Sequence, residues 1–296
     1  MMFIPFPLPY QGSKRKLAPK ILAYFPSSAN RLVEPFAGSA AISIAAMATN
    51  KAEEVWVNDL NDPLIELWKI IVNSPDSIIK GYTALWEAQL NKEREFYKSI
   101  REEFNKDHDP VKLLYLLARC VKAAVRYNSQ GEFNQSPDNR RLGMRPAVFA
   151  KHAHATSALM KGHAKFTSVH FADLLKDLTP QDVVYMDPPY QGVSGSRDRR
   201  YLGGVSKEDI VEFLRELNRL SIPFLLSYDG RLGDRSYGNP LPEDVAYRVD
   251  IEAGRSSQST LLGRAETTVE SLYLSLDLAK ATKVSSEHSS QQLTML

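Results

Sequence analysis

Short apolar runs of strand length alternate with helical periodicity at both ends of the chain, and a long middle stretch breaks that alternation. RLVE (Arg31–Glu34) reads as a buried strand, followed by a glycine-containing turn and an Ala-rich helix. EVWVND reads as a second strand ending at Asn58-Asp59, and a helix from about Pro63 to Val72 follows with proline in its first turn. Strand, turn, helix, strand, helix is how a doubly wound α/β sheet begins. From about Asn73 to Lys165 the period is helical, as in LWEAQLNKEREFYKSIREEF and KLLYLLARCVKAAV, and gives way to the polar stretch YNSQGEFNQSPDNRRLGMRP. Strand and helix then alternate again: KFTSVHFAD, DVVYMDPPY, helix KEDIVEFLRELNRL, and strands IPFLLSYDG, VAYRVDI and VESLYLSL. This pattern predicts one discontinuous α/β domain (1–72 and 166–276) around a mainly helical insert (73–165). The Ser/Gln-rich tail 277–296 is expected to be disordered.

Composition narrows the class. A chain of 296 residues suits one large domain or a domain with a substantial insert. No apolar run has the length of a membrane span, and MMFIPFPLPY is too short, proline-broken and poor in basic residues to read as a signal peptide. The single cysteine, Cys120, excludes an intramolecular disulfide framework and a Cys-rich zinc site. It reads as a buried, inert thiol, and a reducing cytoplasm fits. His152 and His154 lack carboxylate neighbours at metal-ligand spacing and read as surface or phosphate-facing, so no metal is expected. Net charge is only +2, but residues 110–165 carry ten Lys/Arg against Glu132 and Asp138. That window is +8, which leaves −6 for the rest and points to a polyanion-facing module in a neutral-to-acidic body.

Four stretches carry candidate chemistry. In VEPFAGSAA, Gly38 permits close backbone approach to a ligand and Phe36 offers an apolar face, but a single glycine is also an ordinary βα turn. Asp59 closes the second strand where an acid can accept both hydroxyls of a ribose, and Asp62, just before Pro63, reads as the cap of the next helix. PYQGSKRK leaves two readings open: a basic lead into a surface helix, or Tyr10 and Lys14 closing over a bound cofactor. In VVYMDPPY the prolines must end the strand, because they cannot donate to the ladder.

Taken in order, PYQGSK, VEPFAGSAA and DPPY resemble the Dam-type N6-adenine DNA methyltransferases of the alpha group. RYNSQGEFN (Arg126–Asn134), HFAD (His170–Asp173) and the Ser/Arg-containing segment before VESLYLS extend the resemblance over about Pro9 to Leu276. It implies a Rossmann-like S-adenosylmethionine-dependent sheet whose insert is a DNA target-recognition module. It also implies that Tyr10, Lys14 and Asp187 contact the cofactor, that Asp59 binds its ribose, and that Glu34, Phe36 and Gly38 line the same pocket. Asp173 would lie beside the cofactor adenine. Tyr10 stands where well-known relatives carry tryptophan, a change that preserves stacking. NQSPDNRRLGMRP departs from the family pattern, so the target sequence is not inferred.

The catalytic set implied is Asp187, Pro188, Pro189 and Tyr190. Adenine N6 is a poor nucleophile because its lone pair is delocalised into the ring. Asp187 and the Pro188 carbonyl can each accept one of its hydrogens, the prolines hold that carbonyl in place, and Tyr190 can stack on the extruded base. Arg126, Arg140, Arg141 and Arg145 are candidates for phosphate or guanine contacts; Asn128, Gln130 and Asn134 could read adenine edges. Arg197, Arg199 and Arg200 are expected in a loop that contacts DNA. The partner implied is duplex DNA, approached by a monomer, with a cognate restriction endonuclease compatible with the same pattern. D/S/N-P-P-Y edges also occur in RNA and N4-cytosine methyltransferases, and a non-catalytic DNA-binding relative is a third reading. Aspartate at the first position and the RYNSQGEFN stretch favour adenine in DNA.

Overall fold

Successive side chains on the buried strands point to opposite faces, and that alternation builds a three-layer α/β/α body. The structure is a computed structural model and describes residues 3–188, 205–232, 235–237, 240–255 and 267–282. Within them, seven strands lie side by side in the order β3 (Ala164–Thr167), β2 (Ala52–Asn58), β1 (Ala29–Glu34), β4 (Asp182–Met186), β5 (Phe224–Leu232), β8 (Thr267–Leu274) and β7 (Tyr247–Arg255). A short β6 (Arg235–Tyr237) pairs with β5. Neighbours from β3 to β5 are parallel, and β8 runs antiparallel to both β5 and β7. Leu32, Val55, Val57, Val183 and Tyr185 join the apolar core on one face of the sheet; Val33, Trp56, Val184 and Met186 join the core on the other.

On the first face lie α1 (Ala18–Leu22), α2 (Ala41–Ala48) and α3 (Asp62–Asn73). All eight residues of α2 are buried, which is why that helix is apolar and small on every side. The second face is covered by a 3-10 helix at Phe171–Asp177 and by α8 (Lys207–Arg219), which starts from a reciprocal capping box between Ser206 and Asp209.

The middle segment supplies α4 (Pro75–Ala88), α5 (Glu93–Asp107), α6 (Pro110–Arg119) and α7 (Pro146–Met160). These helices share the first core: α6 and α7 pack on α3 and α4, and Tyr82, Tyr97, Tyr115 and Phe149 are continuous with Leu64 and Trp68. Between α6 and α7 the chain is irregular, and its backbone oxygens accept from side chains of α4, α5 and the turn between them. Tyr82 donates to Met144, Gln89 to Leu142, Tyr97 to Gln135 and Asn105 to Phe133.

Several boundaries differ from the pattern's expectation for physical reasons. The helix in KLLYLLARCVKAAV stops at Arg119, because Cys120 is extended and Lys122 and Ala123 adopt left-handed backbone. The Cys120 thiol is buried, and that burial pushes its pKa up to about 12, as an inert thiol requires. Asp62 is the first residue of α3 and not its cap; Asn61 occupies the cap position. HFAD is not strand, since β3 ends at Thr167 and the 3-10 helix starts at Phe171. The segment expected to be a structureless tail begins with a helix, α9 (Leu276–Ala281), because Leu278 and Ala279 are buried against the first core. No helix among the described residues is long and apolar enough to cross a membrane.

Two polar ties set the strand ends. At the amino ends of β1 and β4, Arg31 grips the buried Asp182 with two bonds of 2.8 and 2.9 Å, fixing the register of those strands. At the carboxyl end, the fully buried Asn58 amide donates to the carbonyls of Pro35 and Val169 and accepts from Val169 N–H and the Thr167 hydroxyl. One side chain thus joins the exits of β1, β2 and β3. An Asn58→Leu variant, close in size but unable to make any of these bonds, is expected to lose at least about 2 kcal/mol in urea unfolding. A loss within experimental error would remove Asn58 from this role.

Candidate functional site

In an open α/β sheet a crevice forms where neighbouring strands lead to opposite faces, and here that point lies between β1 and β4. Beyond the carboxyl ends of these strands the structure has an open cavity of about 220 Å³. Tyr10, Lys14, Glu34, Phe36, Gly38, Asp59, Asp187 and Pro188 all line it. Residues from the N-terminal segment, β1, β2 and β4 are therefore brought to one place. Pro189, Tyr190, Arg197, Arg199 and Arg200 lie outside the described residues.

The turn after β1 is held from below and above. Gly38 donates its N–H to Asp59 Oδ2 at 2.9 Å, and its carbonyl accepts from Trp68 Nε1 at 2.9 Å. With φ of +48°, a Cβ added at Gly38 would stand 3.0 Å from the Tyr10 ring, so glycine is needed both for backbone conformation and for room. The Tyr10 segment is itself tied down: Ser39 Oγ donates to Ser13 Oγ at 2.8 Å, and Gln11 N–H donates to the Ala123 carbonyl.

Asp59 accepts Gly38 N–H on one oxygen and Asn61 N–H on the other. Each oxygen keeps one lone pair for a ligand hydroxyl. Burial raises its pKa above the ordinary value, although both amides favour the charged form. Glu34, 3% exposed, accepts Ser43 N–H at 2.6 Å. Burial pushes this carboxyl up to about 8 against that hydrogen bond, and repulsion from Asp187 adds to the rise. Lys14 is nearly buried, with its ammonium 3.3 Å from Asp187 Oδ1 and 2.9 Å from Glu270 Oε2. Phe36 packs against Phe171 with ring centroids 5.1 Å apart, giving the cavity an apolar wall.

Asp173 stands apart. It is exposed on the 3-10 helix and is absent from the cavity wall, whereas His170 and Phe171 of the same HFAD stretch are in it. The 3-10 turn, which a strand reading of HFAD would not produce, turns Asp173 away. Sequence reasoning also passed over Asn61, Tyr127, Tyr185 and Glu270. Tyr127 donates to Asn61 Oδ1 at 3.2 Å, which places the start of the RYNSQGEFN segment on the cavity wall. Glu270 had a signal in the lone acid of the otherwise apolar and hydroxylic run VESLYLSL.

The DNA candidates divide. Arg126, Gln130, Asn134, Arg140, Arg141 and Arg145 are exposed. Asn128 is committed within its own loop: its oxygen accepts from Gln130 and Glu132 amides, and its NH2 donates to Glu132. With both lone pairs used, it cannot make the paired donor–acceptor contact that reads adenine in this arrangement. Asp138 accepts from both Arg140 and Arg141, chiefly the Arg140 guanidinium, which holds its carboxyl well below the usual range. The +8 window overstates the free basic surface, because Arg119 is buried and Lys112 pairs with Glu103 and Asp107. His152 accepts the Phe6 N–H and stacks on Phe3, and His154 pairs with Asp76, so neither is held as a phosphate ligand here. Among the described residues, no group of three or more His, Cys, Asp or Glu is placed to hold a metal ion.

Residues 10–256 match the model of the D12 class of N6 adenine-specific DNA methyltransferases. The chain is 27% identical over 259 residues to the modification methylase StsI of Streptococcus sanguinis, covering 84% of this chain and 39% of that protein. It is 29% identical over 194 residues to the DNA adenine methylase of Serratia marcescens, covering 64% of this chain and 68% of that protein. To the type II methyltransferase M.MjaIII of Methanocaldococcus jannaschii it is 26% identical over 244 residues, 75% of this chain and 83% of that protein.

The raised Glu34 pKa has a stability consequence with a definite sign. Between the usual glutamate value of 4.5 and about 8 the folded state holds a proton that the unfolded state has lost, so stability falls as pH rises through that window. Glu34→Gln, which keeps the acceptor for Ser43, is expected to match the parent near pH 5 and to exceed it by a few kcal/mol above pH 8. Urea unfolding of the ligand-free proteins measures this; a difference independent of pH would show that Glu34 ionises normally.

Proposed function

Because the chain belongs to the D12 class of N6 adenine-specific DNA methyltransferases, we propose that it moves a methyl group from S-adenosylmethionine to N6 of an adenine flipped out of duplex DNA. The observation that carries this reading is the placement of Asp187 and Pro188 in the wall of the same cavity as Asp59, Glu34 and the Tyr10–Gly38 turn.

The residues present fit the methyl donor. Asp59 retains a lone pair on each oxygen for ribose hydroxyls, and the Phe36–Phe171 wall suits a purine face. Among the described lining residues the carboxyls of Glu34, Asp59 and Asp187 outnumber Lys14, the only lysine or arginine there, and the protonated Glu34 can ionise beside a cationic ligand. When bound, S-adenosylmethionine supplies an electrophilic methyl on its sulfonium.

The chain's part is to make the amino group receptive. Asp187 and the Pro188 carbonyl accept the two N6 hydrogens and favour a nitrogen whose lone pair points out of the ring plane. Positive charge that develops on that nitrogen is stabilised by the Asp187 carboxylate, which need not be a strong base beforehand because the proton becomes acidic only after alkylation. Extruding the base costs a few kcal/mol, offset by contacts elsewhere on the DNA. The exposed Arg126, Arg140, Arg141 and Arg145 support that role for the 120–145 loop. Names among the relatives, a modification methylase and type II methyltransferases, support a cognate endonuclease acting on the same site as a partner.

Incubation of the protein with duplex DNA and tritiated S-adenosylmethionine, then nucleoside analysis, is expected to place label on N6-methyladenine; label on cytosine, on RNA alone or on nothing would overturn the reading. Asp187→Ala should abolish transfer and retain cofactor binding in part. The Arg140→Ala/Arg141→Ala pair should weaken DNA binding and reduce the slope of log K against log salt by about one to two, as loss of one or two phosphate contacts requires. An unchanged slope would take both arginines off the backbone.

A further inference from the structure

The N-terminal turn, the β4 edge and β8 meet at one cluster of charges. Lys14 lies in the 3-10 turn Lys14–Lys16, Asp187 just beyond β4, and Glu270 within β8, two strands away from β4 in the sheet. The Lys14 side chain is 8% exposed, and Glu270 Oε2 is shut off from solvent. We propose that Glu270 is a positioning residue for methyl transfer: through Lys14 it holds the Asp187 carboxylate in place at the β4 edge. The inference rests on the reading of Asp187 as the group that receives the amino hydrogen.

Lysine carries a compact charge on a flexible four-carbon stem, so a single partner does not fix where the ammonium sits. Here the contact to Glu270 is the shorter, 2.9 Å against 3.3 Å to Asp187. Glu270 is the closer of these two carboxylates, and Lys14 bridges it to Asp187 Oδ1. Glu270 is itself fixed by the ladder, paired across to Gly230 of β5 and Ile251 of β7. Without this anchor the ammonium can close fully onto Asp187, which blunts it as an acceptor, or swing away and release it. Both outcomes slow transfer. Glu270 does not line the cavity, whereas Asp59, Phe36 and Phe171, the residues that suit a ribose and a purine, do. Its loss should therefore leave the ribose and purine contacts in place, so that any effect on the cofactor passes through Lys14 alone.

Glu270→Gln preserves size and removes the charge. Expected is a fall in kcat of roughly 10- to 100-fold at saturating DNA and S-adenosylmethionine, the range for a displaced reacting group. The Kd for S-adenosylhomocysteine, measured by calorimetry, should change by less than about threefold, a split that general loss of structure would not give. Glu270→Asp, which keeps the charge on a shorter arm, should fall between the parent and the glutamine variant. Lys14→Met combined with Glu270→Gln should lose no more kcat than Lys14→Met alone. Unchanged kcat in Glu270→Gln, or a loss that disappears once a weaker Kd is saturated, would overturn the proposal. If Glu270→Gln does not fold, Glu270→Asp decides: reduced kcat at unchanged Kd supports the role, and parental kcat refutes it. A parent protein that methylates no adenine would instead refute the proposed function.

Discussion

The neighbouring placement of β1 and β4 is the constraint on which the site depends. Strand order passes from β3-β2-β1 on one side to β4-β5 on the other, so the turns leaving β1 and β4 diverge and leave a crevice between them. Arg31 and Asp182 secure that pairing at the closed end, with Asp182 buried and both carboxylate oxygens engaged by the guanidinium. Asn58 gathers the strand exits at the open end. Glu34 and Asp187 then emerge side by side with no further device. A slip of one residue between these strands would turn every alternate side chain to the other face and exchange the two cores.

The site collects like charge, and its hydrogen bonds show how the free protein tolerates this. Glu34 is raised until a proton is retained near neutrality, Asp59 is held by two amides, and Asp187 shares an ammonium. Three carboxyls are stabilised in three ways, so no single counter-ion has to neutralise the cavity. A ligand that brings positive charge and hydroxyl groups relieves both the repulsion and the unfilled lone pairs. Binding of this kind gains from interactions that the protein cannot complete by itself.

Much of this was legible in the residues because local chemistry and tertiary role coincide there. β1 ends in Glu34, and Asp59 and Asp187 come directly after the apolar strands β2 and β4; a polar residue at the exit of a buried strand is conspicuous in one dimension. Tyr10 and Lys14 were not separable from a basic helix lead by local pattern; only the ordered resemblance of several motifs singled them out. Glu270 was overlooked because its partner lies at the other end of the chain, and an acid within a strand reads equally well as a solvent-facing position. Asp173 was singled out by the resemblance alone, and the chain there turns into a 3-10 helix that presents Phe171 inward and leaves Asp173 exposed. Asn128 looked like a base reader because it is polar and sits in a basic loop; its commitment to Gln130 and Glu132 follows from turn geometry that the composition does not reveal.

The same distinction changes how the helical segment should be understood. A charge count suggests a basic module attached to a catalytic body, but α6 and α7 share the core of α2 and α3, and the polar loop between them is fixed by buried side chains from α4 and α5. Its first motif reaches the cavity itself: Tyr127 donates to Asn61, whose N–H holds Asp59, and Ala123 accepts from the segment that carries Tyr10. A shift of this loop would therefore press directly on two residues of the cavity wall. The 120–145 loop and the cavity wall are continuous in this fold, joined by hydrogen bonds and a shared core. Any displacement of the loop must be met by rearrangement of these hydrogen bonds, which end on the Asp59 and Tyr10 sides of the cavity.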